Sequence, residues 1–174
     1  MWSKLFNPRV VKQIVALLVA GEYAIAANVP DGWEAYVDQR LHVSFSHPRA
    51  WKTSTAYADR TFFGGPDGEV QLDASGGDLK GACRSSAEHH LQPYGRHPVI
   101  RATGVQGRKA CLVWPSADQG APFYAELIVE LPRTVEIDGS RYDLLVMNAD
   151  KTHMRQIMGT IRFLDRTPPR SRVH

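Results

Sequence analysis

The amino-acid sequence predicts an α+β fold, an antiparallel β-sheet flanked by helices, and three observations carry that prediction. In residues 122–150, Ala125, Leu127, Val129 and Leu131 alternate with Tyr124, Glu126, Ile128 and Glu130, the period of two of a strand with one wholly apolar face. Asp138-Gly139 then marks a tight reversal, because a short hairpin turn uses positive φ and glycine adopts it without steric cost. The return arm from Tyr142 to Met147 is nearly all apolar, which places it in the middle of a sheet covered on both faces by helices or a second layer.

The chain has 174 residues, and its first 26 read as an export signal. Lys4, Arg9 and Lys12 form a basic region, Ile14 to Gly21 a short apolar run, and Ala24-Ile25-Ala26 a small-residue cleavage site. The apolar run is far short of the about 20 residues that span a bilayer, so cleavage after Ala26 is expected over retention as an anchor, with no membrane span left afterwards. Residues 27–165 are expected to form a single α+β domain and 166–174 a disordered basic tail, RTPPRSRVH. Lys and Arg number 21 against 18 Asp and Glu in the whole chain, but the excess sits at the two ends: without the signal the balance is +1, and the 27–165 body alone carries −2. A folded nucleic-acid-binding face needs clustered cations on the body, so no nucleic acid is expected as a partner.

After a loose leader, Trp33 to Asp38 reads as a first strand, and Gln39-Arg40 as a turn. Leu41, Val43 and Phe45 give the inward face of a second strand, whose other face is His42, Ser44 and Ser46. Proline cannot donate to a ladder, so His47-Pro48 ends that strand and leaves Trp51 as a core plug at the corner. Thr61 to Phe63 is a short strand, followed by a Gly64-to-Gly68 turn and a strand in which Val70, Leu72 and Ala74 alternate with Glu69, Gln71 and Asp73. The glycines here do not form a phosphate cradle, since that loop requires Gly-Lys-Ser/Thr entering a helix. Asp78 is placed to cap a helix to about Leu91, with Leu79, Ala82, Cys83, Ser86, Ala87, His90 and Leu91 on one stripe, before Pro93 and Gly95 stop it. Val99 to Val105 and Lys109 to Val113 form a hairpin across Gln106-Gly107. Trp114 to Gly120 connects it to the 122–150 hairpin, after which Asp150 is expected to cap a last helix with Met154, Ile157, Met158 and Ile161 on its buried face.

Cys83 and Cys111 fall on the first helix and on a strand that the helix can cover. A bridge between them in an oxidising compartment would close a loop of about 28 residues and stabilise the fold by roughly 3–4 kcal/mol. The alternative is two buried thiols that never meet, since pairing also needs Cα atoms within about 7 Å.

Phe45, His47-Pro48 and Trp51 resemble the "F…YP…W" opening of PsbP-like domains, which are α-β-α sandwiches around an antiparallel sheet and also end in a long hairpin followed by a helix. Residues 61–164, through DGEVQLDAS, AEHHLQPYG, GRKACLVWPSADQ, AELIVELP and YDLLVMNADKTHMRQIMGTIRFL, resemble the extracytoplasmic C-terminal region of BlaR-type sensor metallopeptidases. The peptidase part of that family carries HExxH, and Ala87-Glu88-His89-His90 lacks that spacing. The resemblance implies a stand-alone exported relative of an accessory or sensing module without proteolytic activity, and it assigns no ligand or binding residue.

Ser116, His153 and Asp118 or Asp150 are the residues from which a nucleophile triad could be assembled, but no G-x-S-x-G elbow presents the serine. Asp150 as a helix cap, Ser116 and Asp118 as turn residues and His153 on a solvated helix face are the ordinary reading. His89, His90 and His97 do not make a metal set, because adjacent helical side chains point about 100° apart. Glu126 and Glu130 share one strand face, which reads as the wet side rather than a carboxylate pair. Tyr94, Trp114, Ser116, Asp118, Gln119 and Asp150 would make a small amphipathic groove for a peptide, a protein segment or a small ligand if their loops meet. The expected protein is therefore an exported, periplasmic or secreted, non-catalytic binding or accessory domain without cofactor or metal. A small exported hydrolase using Ser116 and His153 is the alternative.

Overall fold

The computed structural model describes residues 29–53, 60–89, 94–119 and 123–164. The expected signal (1–26), the basic tail, and His90, Leu91 and Pro93 lie outside the described residues. Among the described residues ten strands and two helices follow one another in the order β1 (Trp33–Asp38), β2 (Val43–Pro48), β3 (Lys52–Thr53), β4 (Thr61–Gly65), β5 (Gly68–Ser75), α1 (Leu79–Glu88), β6 (Val99–Val105), β7 (Arg108–Trp114), β8 (Tyr124–Ile137), β9 (Ser140–Asp150), α2 (Met154–Thr160) and β10 (Arg162–Phe163).

The 122–150 hairpin is the centre of a seven-stranded antiparallel sheet of order β3-β4-β5-β9-β8-β7-β6. Asp138 and Gly139 both have positive φ (50° and 77°), the turn their identities predict. β9 is the fourth of the seven strands and is covered on both faces. Leu145, Met147 and Ala149 enter one core with Leu127, Val129, Leu72 and Val70. Leu144 and Val146 face the other way, toward Ile128, Val113 and the two cysteines.

The smaller core is roofed by α1, whose start is fixed as expected: the Asp78 carboxylate accepts the Gly81 N–H at 2.8 Å. The helix ends at Glu88 rather than near Leu91, with His89 already extended. Cys83 and Cys111 are joined in a disulfide with Cα atoms 6.4 Å apart, so the helix is stapled to β7.

The larger core lies on the opposite face, closed by α2 and by a second sheet of order β1-β2-β10. This small sheet is the main departure from expectation. Residues assigned to a polar strand face are buried with their apolar neighbours, Ser44 and Ser46 as fully as Val43 and Phe45. The Ser46 N–H donates to Thr160 Oγ1 at 2.9 Å, which ties β2 to the end of α2. Trp51 is 1 % exposed, as its position after His47-Pro48 predicts.

Candidate functional site

The six residues expected to form one groove do not all share one core. Ser116 and Asp118 are hydrogen-bonded to each other, and their turn holds the chain entering β6: Asp118 accepts the Arg96 N–H and Ser116 Oγ the His97 N–H. Both the short Ser116 contact and the Arg96 N–H hold the Asp118 carboxyl below its usual range. Tyr94 belongs to the smaller core, and Gln119 is buried with its Nε2 donating to the Tyr124 carbonyl. Trp114 packs on the other core, beneath the Arg155 guanidinium at 5.0 Å from its ring centroid.

Asp150 is also on that second side, and its role differs from the expected one. It closes β9, and its Oδ1 accepts the N–H groups of Thr152 and His153, forming the turn before α2 rather than the helix cap. His153 is not on a solvated face. Its Nδ1 is 2.9 Å from the Asp150 carboxylate, its Nε2 is 3.8 Å from Asp67, and its ring packs edge-on against Trp51 with centroids 4.9 Å apart. Trp51 Nε1 in turn donates to Asp67 at 2.7 Å. A Cβ at Gly68 would collide with the Asp150 carboxylate, so only glycine admits this close approach. A cleft of about 380 Å³ opens beside the cluster, with Phe123 and Thr152 on its wall. The Asp150–His153 pair has the geometry of an oriented base, but Ser116 Oγ is engaged by the Tyr94 carbonyl and Asp118 rather than by His153.

A different group stands on the face roofed by α1. Glu126, expected on the wet side, is 6 % exposed as the third residue of β8. Its register partners are Val113 on β7 and Asn148 on β9, so it is two strands from any open edge. Burial raises the carboxyl above its usual range, with the Ser86 hydroxyl pulling the other way. Tyr94 gives its single proton to Asn148 Oδ1 at 2.7 Å, so that proton is not available to the carboxylate. Glu126 Oε2 has no hydrogen-bond partner.

Glu126 lines a groove of about 350 Å³ between α1 and the β5-β9-β8 surface, with Ser85 and Ser86 on the helix side and Gln71 and Asn148 on the sheet side. Arg60 and Asp73 close one end as an ion pair at 3.4 Å. Tyr94 is thus the one expected site residue that touches this groove's polar network. The signal that could have found Glu126 was its place between Ala125 and Leu127 on the strand most committed to the core, but its strand neighbours are fixed only by the folded register. Among the described residues no three His, Cys, Asp or Glu side chains gather as a metal site, and no helix is long and apolar enough to cross a membrane.

No protein-family model matches the chain, and no curated protein does. Among solved structures the chain is similar to the solution structure of cyanobacterial PsbP (CyanoP) from Synechocystis sp. PCC 6803, at 9 % identity and a TM-score of 0.44, over 77 % of this chain and 94 % of that one.

Proposed function

We propose that this chain is an exported, non-catalytic binding domain of PsbP-like α-β-α sandwich type, serving as an accessory or sensing module, with its ligand site in the groove at Glu126. Export is supported by the disulfide between Cys83 and Cys111, a bond that persists in oxidising compartments. The reading of binding rests on one observation: a buried carboxyl oxygen without a partner, on the wall of a groove that also presents the Ser85 and Ser86 hydroxyls and the Gln71 and Asn148 amides. An unsatisfied buried acceptor costs about 1–3 kcal/mol, which a ligand N–H placed against it recovers on binding. The ligand class is accordingly a small molecule or peptide end carrying an ammonium or amide donor. A hydrolase built on Ser116 and His153 has less support, because Ser116 is held by the Tyr94 carbonyl and Asp118 whereas His153 is held by Asp150 and Trp51.

The test is a titration of the whole protein with n-propylammonium, propionamide and propionate, followed by NMR at Ser86, Gln71 and Asn148. The two donors are expected to give saturable shifts that Ser85→Trp, an exposed position on the groove wall, removes. Absence of saturable shifts with all three, or equal shifts in Ser85→Trp, overturns the reading.

A further inference from the structure

The opposite flank of α1 carries a second surface of different chemistry. There the helix and the β6-β7 hairpin enclose an open trough of about 540 Å³ whose floor is Leu79, Ile100, Ala102, Ala110 and the disulfide. Its rim carries Lys80, Arg84 and Lys109. Among the described residues none of these three cations has a hydrogen bond or an ion pair, whereas Arg40, Arg60, Arg96 and Arg108 all do. Two carboxylates share the trough, Asp78 and Glu130; Asp78 is committed to the helix cap, and the balance stays positive.

Two further observations fall on the same spot. Among the described residues Val99 and Ile100 are two of the three large apolar side chains that stand exposed, at 51 % and 44 %, and both are on β6. β6 is also the end strand of the seven-stranded sheet, so among the described residues no strand pairs with its outer backbone edge. A long exposed edge with apolar side chains is a template for a further strand, which natural proteins usually blunt.

We infer that this trough and the β6 edge form a docking surface for an extended, acidic segment of a partner protein, one in which carboxylates alternate with aliphatic side chains. Added as an eighth strand, such a segment places every second side chain on the α1 face. There its carboxylates reach Lys80, Arg84 and Lys109 and their methylene stems lie over Ile100 and Leu79, while its aliphatic side chains fall on the other face, beside Val99. The charge decides the partner's composition, and the open edge decides its extended form. This surface is separate from the Glu126 groove, so either assignment can fail without the other.

The experiment uses the full protein and three synthetic hexapeptides: Glu-Ile-Glu-Val-Glu-Leu, its Lys-for-Glu counterpart, and the acidic peptide N-methylated at alternate residues. The acidic peptide is expected to bind saturably, with amide shifts along β6 and α1 and an affinity that falls as salt rises. Lys80→Glu combined with Arg84→Glu, both exposed and so compatible with folding, is expected to weaken it at least tenfold. The basic and N-methylated peptides are expected not to bind. Equal binding of acidic and basic peptides, no loss in the charge-reversed variant, or binding of the N-methylated peptide as strong as the parent overturns the inference. So does no binding at all. Two other occupants would also overturn it: a dimer of the protein paired through β6, seen by sedimentation, or decanoate filling the trough and excluding the peptide.

Discussion

Two buried ionisable side chains act on stability with opposite pH dependence. His47 is 1 % exposed and stacked on Phe63 at 3.9 Å between centroids; burial lowers it below the usual 6.5, with the Pro48 carbonyl pulling weakly the other way. Its contribution is therefore present above pH 6.5 and lost as pH falls through the folded value. Glu126 is the reverse: held above 4.5 by burial, it contributes fully below that pH and loses the contribution as pH rises through its folded value. Glu126→Gln should accordingly gain stability relative to the parent as pH rises from 4.5 to 8. Urea melts across that range check it, and a difference that does not vary with pH refutes the assignment. The burial of Glu126 was not legible in the sequence, whereas His47 follows Phe45 by two residues on the strand face read as inward. An alternation rule assigns a polar residue to solvent, and for Ser44, Ser46 and Glu126 the second layer on that face comes from residues far along the chain.

The elements that were legible are those whose chemistry is local. Positive φ at Asp138-Gly139 and Gln106-Gly107 makes two hairpins, and the Asp78 carboxylate begins α1. The apolar return arm forecast a central strand, and β9 is one. What remained hidden is pairing between distant segments: β10 joins β2 through Arg162 opposite Ser44, and two residues of β3 pair with β4. Because Leu145 on β9 is fully buried in the larger core, Leu145→Ala should cost about 2–5 kcal/mol. Asp78→Ala, which removes only a cap at an exposed helix start, should cost about 0.5–2 kcal/mol. Chemical denaturation of both variants measures the contrast; a larger loss at Asp78 than at Leu145 would contradict the placing of β9 at the centre of the sheet.

The whole molecule is two cores of unequal size back to back on one sheet, and the staple serves the smaller. Few buried side chains lie under α1, so the bond from Cys83 to Cys111 supplies much of what keeps the helix seated. Replacing both cysteines by alanine should lower stability by roughly 3–4 kcal/mol for a closed loop of 28 residues. Thermal melts of the variant, and of the parent with and without a reducing agent, check this. A variant that melts with the oxidised parent would show that the smaller core holds the helix unaided.

That stapled helix is a wall common to two recesses, hydroxyl-lined on one flank and cation-rimmed on the other. An occupant that shifts or steadies it on one side alters the width available on the other. Thermodynamic linkage then requires the influence to be mutual: by whatever factor the first guest changes the affinity of the second, the second changes that of the first. Ten residues of helix would thus join two binding events in a single free-energy cycle.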